Sequence, residues 1–426
     1  MDSDIQKNLK HNYLMNVLDG GFFGAALGFA SFTTVLPLFV STLTDSAVLI
    51  GLIPAIHSVG WQFPQLLTAQ STSRLRHFTP VVVFYTIQER LPFLGLAIVA
   101  LFLTKIDHQL ALWIIFLLLI WQGIGGGLTA NPWQSMIGKI IPGDIRATFY
   151  GSQSAASNLL ASVGASLGGL LLQNIAFPYN YSLSFFIACF LMIFSWIALS
   201  RTREPVRSIQ SESLITVPFW RQVKEILRTN RPFRWFLITR MLTQFTNMSF
   251  AFYTVYAVRY LGMTATTAGI LTSVLLVTQV ISNPLLGRIA DRWSRRYVLE
   301  FGAIAATLSS VLAWLTPSVG WFYIVIILEG IGLVAYWTIG LAMTLEFGAE
   351  SERPTYIGLA NTLIAPATII APLIGGLIAD SAGYAVTFSL AAIAGLVTIF
   401  VLHFMVKDPQ SAIMESGSVQ TEVTEE

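Results

Sequence analysis

Residues 110–137 read LALWIIFLLLIWQGIGGGLTANPWQSMI, and no charged side chain interrupts them. About 20 apolar residues in helical form cross a hydrocarbon core, because a helix bonds its own backbone N–H and C=O groups where no water can. Runs of the same kind recur along the 426-residue chain. They place spans at 13–40, 48–70, 79–103, 110–137, 149–173 and 181–200, then at 234–260, 265–287, 297–316, 320–346, 356–379 and 383–406. The expected fold is an all-α polytopic membrane protein with twelve transmembrane helices.

Composition points the same way. Charged residues make up 11% of the chain and the hydrophobic set 54%, with a mean hydropathy of +0.68. Soluble domains carry about 25% charged residues. A chain this poor in charge cannot cover a water-facing surface, so lipid is its main solvent. The net charge of +2 gives no reason to expect an acidic partner or nucleic acid. The single cysteine, Cys189, lies in an apolar run, which leaves neither a disulfide framework nor a cysteine metal cluster. The first apolar run, from Leu14, is too long for a cleaved signal segment and reads as a retained first span.

Lys and Arg gather on one side of the expected membrane. That side holds Lys7, Lys10, Arg74, Arg76, Lys139, Arg146, eight basic residues from Arg201 to Arg234, then Arg288, Arg292, Arg295, Arg296, Arg353 and Lys407. The other side has only Lys105 and Arg259. By the positive-inside rule both termini and the polar stretch 201–232 are cytoplasmic. The expected organisation is a six-helix bundle in 1–200, a cytoplasmic linker in 201–232 and a second six-helix bundle in 233–406. A short acidic cytoplasmic tail, 407–426, is expected to be disordered.

The quoted stretch also carries a repeat. Its Gln122-Gly123-Ile124-Gly125 returns in the tenth span as Glu329-Gly330-Ile331-Gly332. The same offset takes Arg146 to Arg353, Gly151 to Gly358 and Gly168-Gly169 to Gly375-Gly376. Earlier in each half an offset about eleven residues longer takes Gly51 to Gly269 and Leu66-Leu67 to Leu285-Leu286. Both halves start on the cytoplasmic side, so the repeat is parallel. Two such bundles facing each other enclose a mid-membrane cavity, and rocking one against the other opens it alternately to each side.

One loop adds a family likeness. Gly287-Arg288-Ile289-Ala290-Asp291-Arg292-Trp293-Ser294-Arg295-Arg296, between spans eight and nine, resembles the G-x-x-x-D-R-x-G-R-R loop of the major facilitator superfamily, with Ser294 where glycine is usual. Glu346 and Arg353 are similar to the acidic and basic pair that follows the tenth span in many members. The resemblance covers residues 12–406 and implies a twelve-span fold of two six-helix bundles. On physical grounds, Asp291 is expected at a cytoplasmic helix N-terminus, such as that of span eleven, where free N–H groups and a positive dipole end favour a carboxylate. Arg288, Arg292 and Arg295 are expected to pair with Glu346 or Glu350. Together these groups read as a latch over the cytoplasmic ends; the plainer reading is that the arginines only obey the positive-inside rule. In the first half Thr72 stands opposite Asp291 and Lys139 opposite Glu346, so the expected latch is asymmetric.

Polar groups inside lipid are expensive and mark candidate sites. Arg240, Gln244 and Asn247 share one face of span seven, as do Asn16, Asp19 and Phe23 in span one. Span ten offers Glu329 and Tyr336, with Trp337 alongside, and span four offers Gln122, Gly126, Thr129 and Trp133. The resemblance implies that spans one, four, seven and ten line the cavity, which makes Asp19, Gln122, Trp133, Arg240, Gln244, Asn247, Glu329 and Tyr336 the candidate cavity residues. Glu329, near the middle of its span, is the first candidate to carry a proton; a hydrogen-bonded or paired structural role is the alternative. Glu89 and Arg90 point about 100° apart and each needs a partner on another helix. Asp19 is the candidate for Arg90, in a network that is catalytically inert and ties helices together, unless Asp19 reaches water instead. Glycines 125, 126 and 127 either pack helices closely or leave room for a ligand, and Gly164, Gly168 and Gly169 read as packing.

The expected function is secondary active transport of a small molecule across a bacterial cytoplasmic membrane, coupled to protons, with export of an amphipathic compound leading uptake of a metabolite by a symporter. A non-transporting receptor or a lipid-handling relative is the alternative. No G-x-x-x-x-G-K-[ST], H-E-x-x-H or C-x-x-C occurs, so an ATPase or other enzyme, a cofactor and a bound metal are not expected. The five histidines are read as lying at membrane edges.

Overall fold

Capping chemistry in the sequence sets where the helices begin. Asp107 accepts from the N–H groups of Gln109 and Leu110 at 3.0 and 3.1 Å and opens the helix of the quoted run, His108–Ile140. Ser46, Asn230, Thr264 and Ser294 do the same for the helices that follow them. Ser294 is the residue that departs from the family loop. Its extended backbone and hydroxyl supply the N-cap of the ninth apolar run, so the departure has a structural use.

The computed structural model describes residues 3–44, 46–205, 219–349 and 351–406. Part of the expected linker (206–218), Glu350 and the whole expected tail (407–426) lie outside the described residues. The first-half helices are α1 (Ser3–Phe29), α2 (Val35–Ser41), α3 (Ala47–Gln62), α4 (Gln65–Ser73), α5 (Thr79–Leu101), α6 (His108–Ile140), α7 (Arg146–Asn174) and α8 (Tyr179–Ser200). A linker helix, α9 (Phe219–Thr229), precedes α10 (Arg231–Thr246), α11 (Phe250–Leu261), α12 (Ala265–Arg292), α13 (Arg295–Leu315), α14 (Phe322–Val334), α15 (Gly340–Thr344), α16 (Arg353–Thr362), α17 (Ala365–Ala382) and α18 (Tyr384–Met405).

Among the described residues nine helical stretches are long and apolar enough to cross a membrane. The other three expected spans are discontinuous. Run 13–40 breaks between α1 and α2, and run 48–70 breaks at Phe63-Pro64, where proline has no N–H to continue the ladder. Run 234–260 breaks at a 3₁₀ turn, Asn247–Ser249, between α10 and α11. Span ten is interrupted too, by a π-helical turn at Ala335–Ile339. Such turns sit disproportionately at functional sites.

The chain divides into two compact units. One comprises Met1–Pro142, Ser152–Ser211 and Ile357–Ala365, the other Gly143–Gly151, Glu212–Tyr356 and Pro366–Glu426. In the first, the main helix pairs are α5 with α6, α1 with α8, α5 with α8, and α3 with α6. In the second they are α13 with α14, α10 with α18, α13 with α18, and α12 with α14. The two sets match pair for pair under the repeat. Each unit is apolar outside and polar within: Trp113, Phe190, Leu377 and Phe404 are exposed, while Asn16, Arg90, Arg240 and Glu329 are buried. That inverted surface is stable only in lipid, and the chain is an integral membrane protein.

Small residues bring helices together. A Cβ on Gly24 would meet the Ser157 carbonyl, and one on Gly28 the Ala161 carbonyl, so α1 and α7 touch backbone to backbone. Gly125 leaves no room before the backbone of Gln88 and Glu89 in α5, and Gly127 none before Pro64. Close packing therefore accounts for this glycine run, and the space at Gly126 is filled by the Glu89 carboxylate, whose Oε1 would lie 2.9 Å from an added Cβ.

Candidate functional site

Three polar groups inside the units, and one set of contacts at a helix end, are built from the residues singled out in the sequence. In the first unit α5 carries Arg90 into the bundle. Its Nη2 reaches Asp19 Oδ1 of α1 at 3.1 Å and Ser195 Oγ of α8 at 2.6 Å, and Ser195 donates to the same Asp19 oxygen at 2.6 Å. The guanidinium lies over the Phe23 ring. Glu89 is 3.8 Å away, too long for a good pair, as expected of neighbours pointing apart. Asp19, expected among the cavity residues, is thus in the charge network and buried from water. Removing one member of such a buried pair costs roughly 3–5 kcal/mol, because the other is left charged and alone. Ser195 was not foreseen; a serine in the apolar middle of the run from Phe185 to Leu199 was its signal.

A second group corrects the reading of the histidines. His57 does not lie at a membrane edge. It sits inside α3, stacked on Phe32 with ring centroids 4.0 Å apart, and its Nδ1 is 3.0 Å from Gln122 Oε1. Asn131 and Gln134, further along α6, bond to Gln65 of α4. Trp133 is half-buried beside them.

The second unit gathers Arg240, Gln244 and Tyr336. The Tyr336 hydroxyl donates to the Arg240 carbonyl at 3.2 Å and accepts from Gln244 Nε2, and the Arg240 guanidinium lies over the Tyr336 ring. The two helix breaks make this possible: Tyr336 lies in the π turn of span ten, and Asn247 begins the 3₁₀ turn of span seven. A narrow pocket opens there, lined by Arg240, Thr239, Thr243, Asn247 and Tyr336, with Gly302, Gly332 and Gly340 also in its walls. Asn247 Oδ1 finds no hydrogen-bond partner among the described residues.

Glu329 stands apart from that pocket. It is fully buried in α14, forms no ion pair among the described residues, and neither carboxylate oxygen completes a hydrogen bond. A charge at the centre of a lipid-embedded helix costs roughly 2.5–3.5 kcal/mol, and nothing here offsets it. The repeat explains the isolation. Its twin Gln122 has His57 to bond, but the offset that pairs Gly51 with Gly269 puts Leu275 where His57 would be, and Leu275 packs against Gly330 instead.

The loop at residues 287–296 lies in the second unit, with two corrections. Asp291 caps the start of α7, not of span eleven: its oxygens accept from Ala147 N at 3.0 Å and Thr148 N at 2.6 Å. Arg295, fully buried, bonds Asp291 Oδ1 at 3.0 Å and Glu346 Oε1 at 3.3 Å, and donates to the Gly143 carbonyl. Arg146 pairs with Glu346 as well, and Arg353 lies near Arg146. Gly287 lets the loop press on α7, since a Cβ there would be 2.5 Å from the Ala147 carbonyl. Arg288 and Arg292 do not pair as expected; both are exposed and form no ion pair among the described residues, and Glu350 lies outside them. Arg296 turns away to the His403 carbonyl.

The first unit solves the same end differently. Lys139, opposite Glu346 in the repeat, pairs at 2.7 Å with Glu204, a buried residue just after α8. Glu204 also accepts from Phe78 N, Thr79 N and the Thr79 hydroxyl at 2.8 Å, capping α5. Sequence reading passed over it.

The model of the Major Facilitator Superfamily matches residues 91–260 and 241–420. The chain belongs to the major facilitator superfamily. Members of this superfamily are membrane transporters rather than enzymes. Among solved structures, the E. coli fucose:proton symporter is similar over 93% of this chain and 98% of its own, with a TM-score of 0.75 at 14% identity. A proton:xylose symporter of the superfamily is similar over 95% and 97%, with a TM-score of 0.73 at 15% identity. Curated relatives include the class E tetracycline resistance protein of Escherichia coli, 35% identical over 143 residues (32% of this chain, 34% of the relative). The class H protein of Pasteurella multocida is 27% identical over 146 residues (34% and 36%). The chain thus spans about a third of the length of the curated relatives it matches.

Proposed function

We propose that this superfamily member is a secondary active transporter, moving a small molecule across a bacterial cytoplasmic membrane by alternating access of two six-span bundles. Both termini and the linker are cytoplasmic in this reading. The observation that carries it is the pocket at the breaks of spans seven and ten. Guanidinium, phenol and amide groups gather there inside an apolar-faced bundle, where a purely structural helix pair has no need of them. The proton is the coupling ion and Glu329 its carrier. Asp291, Arg295, Arg146 and Glu346 form the cytoplasmic latch. Export is favoured over uptake because apolar and aromatic residues outnumber charges around the buried polar groups, and because two relatives are tetracycline resistance proteins.

The test is flux into liposomes of phosphatidylethanolamine and phosphatidylglycerol with an imposed pH gradient, offered tetracycline and, separately, fucose. Gradient-driven tetracycline movement that Glu329→Gln abolishes is the expected result. Movement of fucose down the proton gradient would replace export by uptake. Saturable binding with no flux of either would leave a receptor or lipid-handling protein instead.

A further inference from the structure

Glu329 is surrounded by hydroxyls rather than charges. Ser309 and Ser310 come from α13, Tyr253 from α11, and Ser249 from the turn that breaks span seven. Ser309 Oγ is 3.0 Å from Tyr253 Oη, which is 3.1 Å from Ser249 Oγ and 3.2 Å from Ser310 Oγ; the two serines are 2.9 Å apart. Ser309 Oγ also donates to the Val325 carbonyl at 3.0 Å, one helical turn before Glu329 on α14, which sets the cluster beside that carboxyl. All five side chains are buried.

We propose that three of these hydroxyls, Ser309, Tyr253 and Ser249, are a proton relay joining Glu329 to the pocket at the break of span seven, with Ser310 holding Tyr253 and Ser249 in place. Each serine has a backbone acceptor to fall back on: Ser309 has Val325 O at 3.0 Å, Ser310 has Ala306 O at 3.3 Å and Ser249 has Thr246 O at 3.4 Å. Tyr253 has none among the described residues, so its hydrogen points into the cluster. A hydroxyl both donates and accepts, and its hydrogen turns freely between partners. The Glu329 O–H gives its proton to Ser309 Oγ as Ser309 passes its own to Tyr253, and Tyr253 passes one to Ser249. Ser249 passes the proton on toward water in the pocket whose lining includes Asn247, two residues earlier in the same turn. Each relay hydroxyl gains one proton and loses one, and the negative charge stays on Glu329.

The spacing favours a proton over a metal cation. Neighbouring oxygens stand at hydrogen-bonding separations, each pair sharing one hydrogen. The inference rests on the proton coupling proposed above, and the experiment separates the two. The full-length protein in phosphatidylethanolamine and phosphatidylglycerol liposomes is examined by infrared spectroscopy while water is replaced by deuterium oxide. Glu329→Gln should remove one protonated-carboxyl band. Ser309→Ala and Tyr253→Phe should keep that band but slow its deuterium exchange by about a hundredfold, the low end of what one positioned proton-transfer group contributes. Ser309→Thr, which keeps the hydroxyl, should restore the rate. Unchanged exchange in both Ser309→Ala and Tyr253→Phe overturns the relay and leaves Glu329 as carrier. No band lost in Glu329→Gln overturns both. Loss of the wild-type band when sodium chloride replaces potassium chloride makes the cluster a cation site and also overturns the relay.

Discussion

Replacing Asp291 by alanine removes two charge-assisted bonds to the first turn of α7, at 3.0 and 2.6 Å, and one to Arg295 at 3.0 Å. Hydrogen bonds to a charged group contribute roughly 1.5–3 kcal/mol each, and the helix dipole adds to this. Water can re-solvate part of a loop at a helix end, and Arg295 keeps Glu346. A net loss of about 3 kcal/mol follows, which is about a hundredfold in the equilibrium that docks the loop. Amide hydrogen exchange reads that equilibrium directly. In the liposome-embedded protein the N–H groups of Ala147 and Thr148 should exchange about a hundred times faster in Asp291→Ala than in wild type. Transport should fall far more in this variant than in Thr72→Ala, the twin position. Wild-type exchange at 147 and 148, or equal transport defects in the two variants, would refute the reasoning.

Arg90→Gln should destabilise the protein by about 3–5 kcal/mol in thermal unfolding, and adding Asp19→Asn should recover much of that loss by removing the stranded charge. Gly24→Ala should cost about 1–3 kcal/mol through collision with the Ser157 backbone, whereas Gly169→Ala, with open space around it, should leave the melting temperature unchanged. Glu204→Gln should loosen the start of α5, raising amide exchange at Phe78 and Thr79, while Glu225→Gln, on the exposed face of α9, should change nothing.

Hydropathy and loop charge are local properties, and each apolar run of the sequence becomes helix in the structure. The breaks were less legible. Pro64 announces one, but the turn at Asn247–Ser249 and the π turn at Ala335–Ile339 arise from packing that no short window records. Arg90 could be matched to Asp19 because a charge in lipid demands an opposite one on a nearby helix. Asp291 could not be matched to the right helix. Duplication gives α7 and α16 nearly identical starts, Arg146 and Arg353, so sequence offers no means to choose between their N-termini. Glu204 was invisible for a different reason: its partners are Lys139 and the backbone at 78–79, more than sixty residues away, and a backbone N–H has no signature. His57 was misplaced because histidine is usually a boundary residue, and only its contact with Gln122 shows otherwise.

Glu346 holds two guanidiniums at once, Arg146 and Arg295, and the second of these also grips Asp291. Such an arrangement is shared more widely on its cationic side than on its anionic side. Drift in either arginine is buffered by the other, whereas a single neutral replacement at the shared carboxylate takes a bond from both at once, with Asp291 still holding Arg295. Tolerance to variation at this helix end is therefore set by how many neighbours depend on a residue, and Glu346 is less forgiving than either arginine it holds.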